Sequence, residues 1–262
     1  MNKSHCSTSC GGCSTVIRSL SVEYSGRRAL SDIDLSFSCG ELTAIIGPNG
    51  GGKTSILKSI LGEIPYSGKI DFCNISGRKK PRIGYLPQKI SVQKDSPVSV
   101  CDFLLLSEGY PLTWLHVSKK RKEMKIKQLE IVSAENLIDR RIGELSGGEL
   151  QRVLLAASIN PVPDILLLDE PVTALDSKGI DIFYELICSL RTKFHMTILV
   201  VSHDIGAIAK HADKMFLINE KIIAHGTPSE VISSHAFRSQ MGGVYFKLSG
   251  SKPDHHIYGG GL

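Results

Sequence analysis

The chain has 262 residues, of which 42% are apolar, and a formal net charge of +5. This is the composition of an ordinary globular protein with a substantial core, and so modest a charge does not by itself indicate a nucleic-acid partner. No apolar run approaches the roughly 18 residues that a membrane-spanning helix needs, and the first residues lack the apolar core of a signal peptide. We therefore expect a cytosolic protein, in which the seven mostly isolated cysteines do not predict a disulfide framework.

The amino-terminal part of the chain alternates apolar and polar residues, which is the period of half-buried β-strands at a sheet edge. The alternating apolar residues are Leu20, Val22, Tyr24, Ile33, Leu35 and Phe37. We therefore predict that the fold opens with an antiparallel pair of strands.

Three further strands are predicted from short apolar runs at Leu42–Ile46, 165–168 and Thr197–Val201. Each run ends in Gly, Asp or Ser and is followed by sequence that is compatible with a helix. Strands that are buried on both faces of a parallel sheet have this pattern, so an α/β core is predicted.

The segment between about 89 and 150 is predicted to be a helical subdomain inserted in this core. Its helix-compatible stretches are 100–106, 118–132 and 136–140. We interpret the basic run from Lys119 to Lys122 as a solvated helix face. The two ends of the chain, 1–14 and 249–262, are rich in Ser, Gly and His, and we expect both to be poorly ordered.

A glycine-rich loop that fits the phosphate-binding pattern G-x-x-x-x-G-K-[ST] lies between the first buried strand and an amphipathic helix. Its residues are Gly47, Pro48, Asn49, Gly50, Gly51, Gly52, Lys53 and Thr54. Glycines allow consecutive backbone N–H groups to point at phosphate oxygens, and the helix N-terminus adds positive potential. Lys53 would reach the β- and γ-phosphates and Thr54 would ligate Mg²⁺, so the chain is predicted to bind ATP.

A second candidate for phosphate binding opens another predicted helix, at Ser146, Gly147 and Gly148. Ser146 and Glu149 have the spacing of a capping box, which would satisfy free N–H groups at the helix end. The two glycines also allow a phosphate to approach the same helix end closely, so capping and anion binding are compatible.

Two acids and a histidine follow buried strands, at the strand ends where open α/β sheets place their ligands. Asp169 would hold Mg²⁺ through water, and Glu170 would orient the water that attacks the γ-phosphate. An acidic pair after a strand is often only a solvated turn, but the phosphate loop upstream favours the functional interpretation. His203 follows the strand Thr197–Val201 and is predicted to face the same crevice.

The motifs GPNGGGKT, LSGGELQR, ILLLDEP and SHD, in this order, resemble those of the ATPase subunits of ATP-binding cassette (ABC) transporters. The resemblance extends over about 16–233 and implies one ABC ATPase domain at 15–248. The implied fold is an α/β P-loop NTPase core with a mixed sheet, an antiparallel β edge and the inserted helical subdomain. Glu149, where Gln is frequent, and Val172 and Thr173 before Ala174 depart from the commonest motifs, at positions to which we assign no chemistry.

The resemblance also implies roles for single residues. Tyr24 would stack on adenine, Gln88 would link Mg²⁺ to a transmembrane partner, and His203 would contact the γ-phosphate. The residues assigned to catalysis are then Lys53, Gln88, Glu170 and His203, and those assigned to Mg²⁺ are Thr54, Gln88 and Asp169.

The family's architecture implies a site that is shared between two chains. Ser146 and Gly148 would reach the ATP held by the phosphate loop of a second subunit, and the loop 174–176 would cross to that subunit. We therefore expect a homodimer that encloses two nucleotides.

Looser similarities at 82–88, 95–100, 140–145 and 217–226 resemble the subgroup that imports zinc, manganese or iron. They imply an integral membrane permease, an external metal-binding protein acting through it, no nucleic acid, and a peripheral position on the cytoplasmic face of the inner membrane. Siderophore-type importers share part of this pattern. A soluble ABC-type ATPase of iron–sulfur assembly, DNA repair or translation is a further alternative, although the sequence shows neither the long coiled coil of the repair proteins nor the two cassettes usual in translation factors.

The first residues contain Cys6, Cys10 and Cys13 beside His5. Their spacing matches the cluster-binding motif of radical S-adenosylmethionine enzymes, but that interpretation needs a barrel, and the rest of the chain is already assigned. Thiolates and an imidazole are also reasonable ligands for zinc or iron. We favour a polar tail that happens to contain cysteines, and we interpret the histidines at 255–256 in the same way.

Overall fold

The computed structural model describes residues 14–73, 80–90, 93–110 and 117–249. The strands in these ranges are β1 (Ser14–Tyr24), β2 (Arg27–Ser38), β3 (Leu42–Ile46), β4 (Ser67–Cys73), β5 (Ile83–Leu86), β6 (Ile165–Asp169), β7 (Thr197–Val201), β8 (Lys214–Asn219) and β9 (Lys221–Gly226). The helices are α1 (Lys53–Leu61), α2 (Val100–Ser107), α3 (Lys119–Glu130), α4 (Gly147–Ser158), α5 (Ser177–Phe194), α6 (Ile205–Ile208), α7 (Pro228–Ser233) and α8 (His235–Ser249). The residues discussed above at both chain ends, His5, Cys6, Cys10, Cys13, His255 and His256, lie outside the described ranges.

A six-stranded mixed sheet with the order β5-β6-β7-β3-β8-β9 forms the centre of the fold. Its neighbouring strands are parallel except for β9, which pairs antiparallel with β8 at one edge. The three predicted apolar runs form β3, β6 and β7, and every residue of these strands is buried. The predicted mixed α/β sheet with an antiparallel edge is therefore confirmed.

The central sheet separates two hydrophobic cores. Leu166 and Leu168 of β6 face a core that contains residues of α2, α4 and α5, whereas Ile165 and Leu167 face the opposite core. That opposite core also contains residues of α1, β1 and β2. Because β6 is covered on both faces, its period-two alternation distributes its apolar side chains between two cores, and its one polar residue, Asp169, lies at the carboxyl end of the strand.

The amino-terminal strands pair antiparallel, as predicted, but they form a sheet of their own. The order in this three-stranded sheet is β2-β1-β4, so that β1 lies at its centre. The apolar side of this sheet packs on α1, where Leu20, Val22 and Leu30 share a core with Ile56 and Leu57. The three-stranded sheet therefore packs against and supports α1, the helix that follows the phosphate loop.

The predicted helical subdomain contains α2, α3 and the start of α4, where helices were expected. The predicted helix at 136–140 is wrong. The structure has only a 3₁₀ turn there, at Glu135–Leu137. The carbonyl groups of Ile138 and Arg140 accept hydrogen bonds from the first N–H groups of α2, at Cys101 (3.0 Å) and Val100 (2.9 Å). Because these carbonyls accept hydrogen bonds from the first turn of α2, they do not form the bonds that would continue a helix at 136–140. None of the helices in the described ranges is long and apolar enough to span a membrane.

Candidate functional site

The phosphate loop, residues 47–54, joins the end of β3 to the start of α1. The buried ammonium group of Lys53 donates hydrogen bonds to the backbone carbonyls of Gly47 (3.0 Å) and Pro48 (2.8 Å) and so closes the loop. Burial lowers the pKa of Lys53 from its ordinary value, and the nearby carboxylates of Glu170 and Asp169 oppose this shift. An anion that enters the loop meets a partly desolvated cation, to which it binds more strongly than to a hydrated one.

Two glycines of the loop are required because other backbone lies very close to them. At Gly47, where φ is +148°, a Cβ would lie 1.9 Å from the carbonyl oxygen of Ile218 in β8. At Gly52, where φ is +90°, a Cβ would lie 2.5 Å from the carbonyl oxygen of Ala29 and 2.3 Å from Cδ2 of Leu30. The glycines therefore fix where the loop sits against the strands behind it, in addition to allowing its conformation.

We expect Gly47→Ala to lower the free energy of unfolding by about 3 kcal/mol or more and to abolish ATP binding, because the loop must move away from β8. Urea unfolding and the binding of a fluorescent ATP analogue measure the two effects. Gly242→Ala is a matched control, since a Cβ at Gly242 meets no atom within 4 Å. Unchanged ATP affinity in Gly47→Ala would contradict a loop position that depends on this glycine.

The acid that ends β6 lies beside the hydroxyl group of the phosphate loop. Asp169 is buried, and its Oδ1 accepts a hydrogen bond from Oγ1 of Thr54 (3.2 Å). Burial raises the pKa of Asp169, and the hydrogen bond from Thr54 acts in the opposite direction. Hydroxyl and carboxylate oxygens are the ligands that Mg²⁺ prefers, so this pair fits the predicted magnesium site.

The next acid, Glu170, is held by two side chains from neighbouring segments. Its Oε2 accepts a hydrogen bond from Nε2 of Gln88, and its Oε1 contacts Nε2 of His203. The backbone of Glu170 has a φ of +50°, in the left-handed region, and its N–H donates to the carbonyl of Val201 (2.9 Å). Its carbonyl accepts a hydrogen bond from Oγ1 of Thr173 (2.9 Å). These bonds stabilise an unusual conformation that turns the carboxylate toward different partners from those of the preceding acid.

An open cleft of about 690 Å³ is lined by predicted residues from the phosphate loop and from the ends of several strands. Among the described residues, its lining does not include Asp169, Gly47, Pro48 or Gly51. Its predicted lining residues include Tyr24, Asn49, Lys53, Gln88, Glu170 and His203. Tyr24 lies at the rim, where it is 44% exposed and its hydroxyl is 3.5 Å from Oγ of Ser55. The cleft thus offers an aromatic surface, a buried cation and a carboxylate on one continuous wall, as a nucleoside triphosphate with a water beside it requires.

Sequence reasoning missed five residues that line the same cleft. They are Arg27, Arg28, Ala29, Ser55 and Glu220. The basic pair at the start of β2, close to the predicted aromatic residue, was a signal that could have been used. Glu220 gave no such signal, because it reaches the cleft from the turn between β8 and β9, far along the chain.

The predicted capping box at the start of α4 is confirmed. The N–H of Glu149 donates to Oγ of Ser146 (3.4 Å), and the N–H of Ser146 donates to Oε2 of Glu149 (2.8 Å). Arg140 donates to the other oxygen of this carboxylate (2.8 Å). The hydrogen bonds from Ser146, assisted by the charge of Arg140, lower the pKa of Glu149, so this helix end is organised around an ionised carboxylate.

This helix end does not contribute to the cleft of its own phosphate loop. Within the described ranges, the lining of that cleft includes none of Ser146, Gly147 and Gly148. A Cβ at Gly147 would lie 2.7 Å from the carbonyl oxygen of Ala174, so the helix end packs closely on the loop 174–176. The structure therefore brings two of the predicted motifs together, at a place separate from Lys53.

A phosphate loop follows β3, and a buried acid ends β6, which is separated from β3 by β7 in the parallel part of the sheet. This arrangement defines a P-loop nucleotide-binding protein. The family model of ABC transporters matches residues 30–173. The chain is 36% identical over 224 residues to the zinc import ATP-binding protein ZnuC of Pseudomonas aeruginosa, covering 84% of this chain and 77% of that protein. It is 35% identical over 227 residues to ZnuC of Vibrio parahaemolyticus, covering 86% of this chain and 81% of that protein.

A solved structure of an ABC transporter also has a fold similar to that of this chain. A solved structure described as a metal-chelate type ABC transporter in an inward-facing conformation contains a chain with a TM-score of 0.75 and 25% identity. The match covers 88% of this chain and 89% of that chain. This chain therefore belongs to the ABC transporter family, as its motifs predicted, and it is an ATPase.

Proposed function

We propose that this chain is the ATP-hydrolysing subunit of an importer for a divalent transition metal, which is zinc or else manganese or iron. The observation that carries the proposal is the 36% identity, over 84% of the chain, to proteins named for zinc import. These relatives favour metal import over a soluble ABC-type ATPase of iron–sulfur assembly, DNA repair or translation. They also weigh more for the substrate than the metal-chelate transporter does, because its identity to this chain is only 25%.

In the proposed reaction, Lys53 and the backbone N–H groups of the phosphate loop bind the β- and γ-phosphates of ATP. Thr54 and Asp169 would hold Mg²⁺, which neutralises charge on these phosphates when it is bound. Glu170 would orient and polarise the attacking water, and its place at the cleft wall supports this role.

The contacts of Glu170 suggest how the site is controlled. Both oxygens of its carboxylate are engaged, one by Gln88 and one by His203. We propose that nucleotide binding draws Gln88 toward the magnesium site and His203 toward the γ-phosphate. Glu170 is then released to bind the water, so that hydrolysis begins only after ATP has entered.

We propose that the active form is a homodimer. In support, the capped helix end at Ser146 and the glycines after it lie outside the cleft of their own chain, while their backbone is suited to an anion. A second copy would supply the missing phosphate. Turnover per chain should then rise with protein concentration through the range in which dimers form, and turnover independent of concentration in a demonstrated monomer would contradict the shared site.

A second groove supports the proposed membrane partner. It has a volume of about 480 Å³ and is lined by Tyr85, Pro87 and Ile90, which precede and follow Gln88 in the chain, with Phe103 of α2 on another side. A permease segment seated in this groove would press on the loop that holds Gln88 and hence on Glu170. We place the ATPase on the cytoplasmic face of the cell membrane, with the external metal-binding protein reaching it only through the permease.

Metal uptake by cells tests the proposed function. In a strain without the chromosomal copy, the wild-type chain should restore accumulation of radioactive zinc and should co-purify with a polytopic membrane protein. Glu170→Gln should co-purify equally well but should not restore uptake, because the assembly remains while hydrolysis stops. Glu135→Gln alters an exposed carboxylate away from the cleft and should behave as the wild type does. Normal zinc uptake with Glu170→Gln would contradict the proposed function.

A further inference from the structure

The loop that carries His203 is organised by a buried hydroxyl group. The residue before the histidine, Ser202, is only 1% exposed, and its Oγ accepts a hydrogen bond from the N–H of Asp204 (3.1 Å). The hydroxyl of Ser202 in turn donates to the carbonyl of Asp204 (3.4 Å). Both bonds close around the intervening histidine, so the position of this hydroxyl fixes the backbone from which the imidazole extends.

A tyrosine from the neighbouring helix contacts the same hydroxyl. Tyr184 of α5 is fully buried, and its hydroxyl oxygen lies 3.0 Å from Oγ of Ser202. A serine hydroxyl can accept two hydrogen bonds and donate one, so all partners are satisfied when Tyr184 donates to Ser202. Burial raises the pKa of Tyr184 to about 12, and its phenol therefore remains a donor at neutral pH.

The ring of Tyr184 is fixed by its other neighbours. It stacks on His211, with ring centroids 5.7 Å apart and an angle of 28°, and it meets Phe183 edge-on at 6.2 Å. The helix α5 has 18 residues and also buries Ile187 and Leu190 in the core. A long, packed helix thus presents the phenol to the loop, and the phenol has little freedom to follow the loop if the loop moves.

We propose that Tyr184 is a positioning residue for His203. By orienting the hydroxyl of Ser202, it fixes the backbone from which the imidazole reaches Glu170 and, once ATP is bound, the γ-phosphate. This inference rests on the role in turnover proposed above for His203. Tyr184 itself is not among the described residues that line the nucleotide cleft. It therefore acts on hydrolysis only through Ser202, and it should have no effect on how tightly ATP is bound.

Tyr184→Phe removes the hydroxyl and keeps the ring, which makes it the test. We expect kcat for ATP to fall about 3- to 10-fold, as the loss of one buried hydrogen bond predicts, with KM for ATP unchanged. The matched control is Tyr66→Phe, which removes an exposed hydroxyl and should leave kcat unaltered. Rates are expressed per chain that binds ATP, so that a partly unfolded preparation does not imitate a loss of turnover.

A second variant separates positioning from a general loss of packing. Single-turnover rates are compared for His203→Ala with and without Tyr184→Phe, and the tyrosine change should have no further effect once the imidazole is gone. A 3- to 10-fold additional loss in the double variant would overturn the inference, as would a normal kcat in Tyr184→Phe when His203→Ala is inactive. Wild-type turnover in His203→Ala would refute the role of the histidine and this inference with it.

Discussion

Glu170→Gln is expected to bind ATP with nearly the wild-type affinity and to hydrolyse it at least about 100-fold more slowly. The amide has the shape of the carboxylate and can still contact Gln88 and His203, so the cleft should keep its geometry. It lacks the negative charge that polarises water and accepts its proton. Binding is measured by equilibrium titration with ATP and Mg²⁺, and hydrolysis by phosphate release.

A second outcome follows if two chains share each nucleotide. Because hydrolysis opens the dimer in the proposed cycle, Glu170→Gln with ATP should elute from a sizing column at twice the monomer mass, and the wild type should not. Glu135→Gln serves again as the control for removal of a carboxylate. Wild-type turnover in Glu170→Gln would show that another group activates the water, whereas slow turnover without a dimer would leave the base in place and contradict the shared site.

The central strands could be predicted because burial on both faces gives a strand a characteristic local composition. Strands covered on both faces, such as β3 and β6, bury almost only apolar side chains and therefore appear as short runs that are mostly apolar. β5 is only four residues long and includes Gly84, which packs so closely that a Cβ would lie 2.2 Å from the carbonyl oxygen of Ser158. Such a strand has neither the length nor the composition of a recognisable one.

The division of the strands into two sheets could not be predicted, because pairing is not a local property. The alternation in β1 and β2 indicates one buried face and does not say what covers it. In the structure α1 and the central sheet cover it, and β4, more than forty residues after β1, completes the smaller sheet. Pairing between strands so far apart in the chain cannot be recognised from a short window of sequence.

The candidate site likewise contains some features that the local sequence predicts and others that it does not. The phosphate loop is contiguous, so its spacing alone predicted the anion site, whereas Tyr24, Gln88 and the role of His203 came from a family resemblance. The contact of Tyr184 with Ser202 was beyond either source. A tyrosine among the apolar residues of α5 has the pattern of a core residue, and its polar partner is reached only when α5 packs beside the end of β7.

Lys53→Ala is expected to lower the affinity for ATP by about 100-fold or more, because hydrogen bonds to a charged group are the strongest that the loop can offer a phosphate. The free energy of unfolding should change little. Burial lowers the pKa of Lys53, which means that the folded protein disfavours its charge, and removal of the charge compensates for the lost bonds to Gly47 and Pro48. Lys127→Ala, at an exposed position of α3 outside the cleft, is the matched control and should leave affinity unchanged. Titration calorimetry and urea unfolding separate the two quantities. If Lys53→Ala lost stability and affinity together, the lysine would be holding the loop in shape, and its direct contact with phosphate would lose its support.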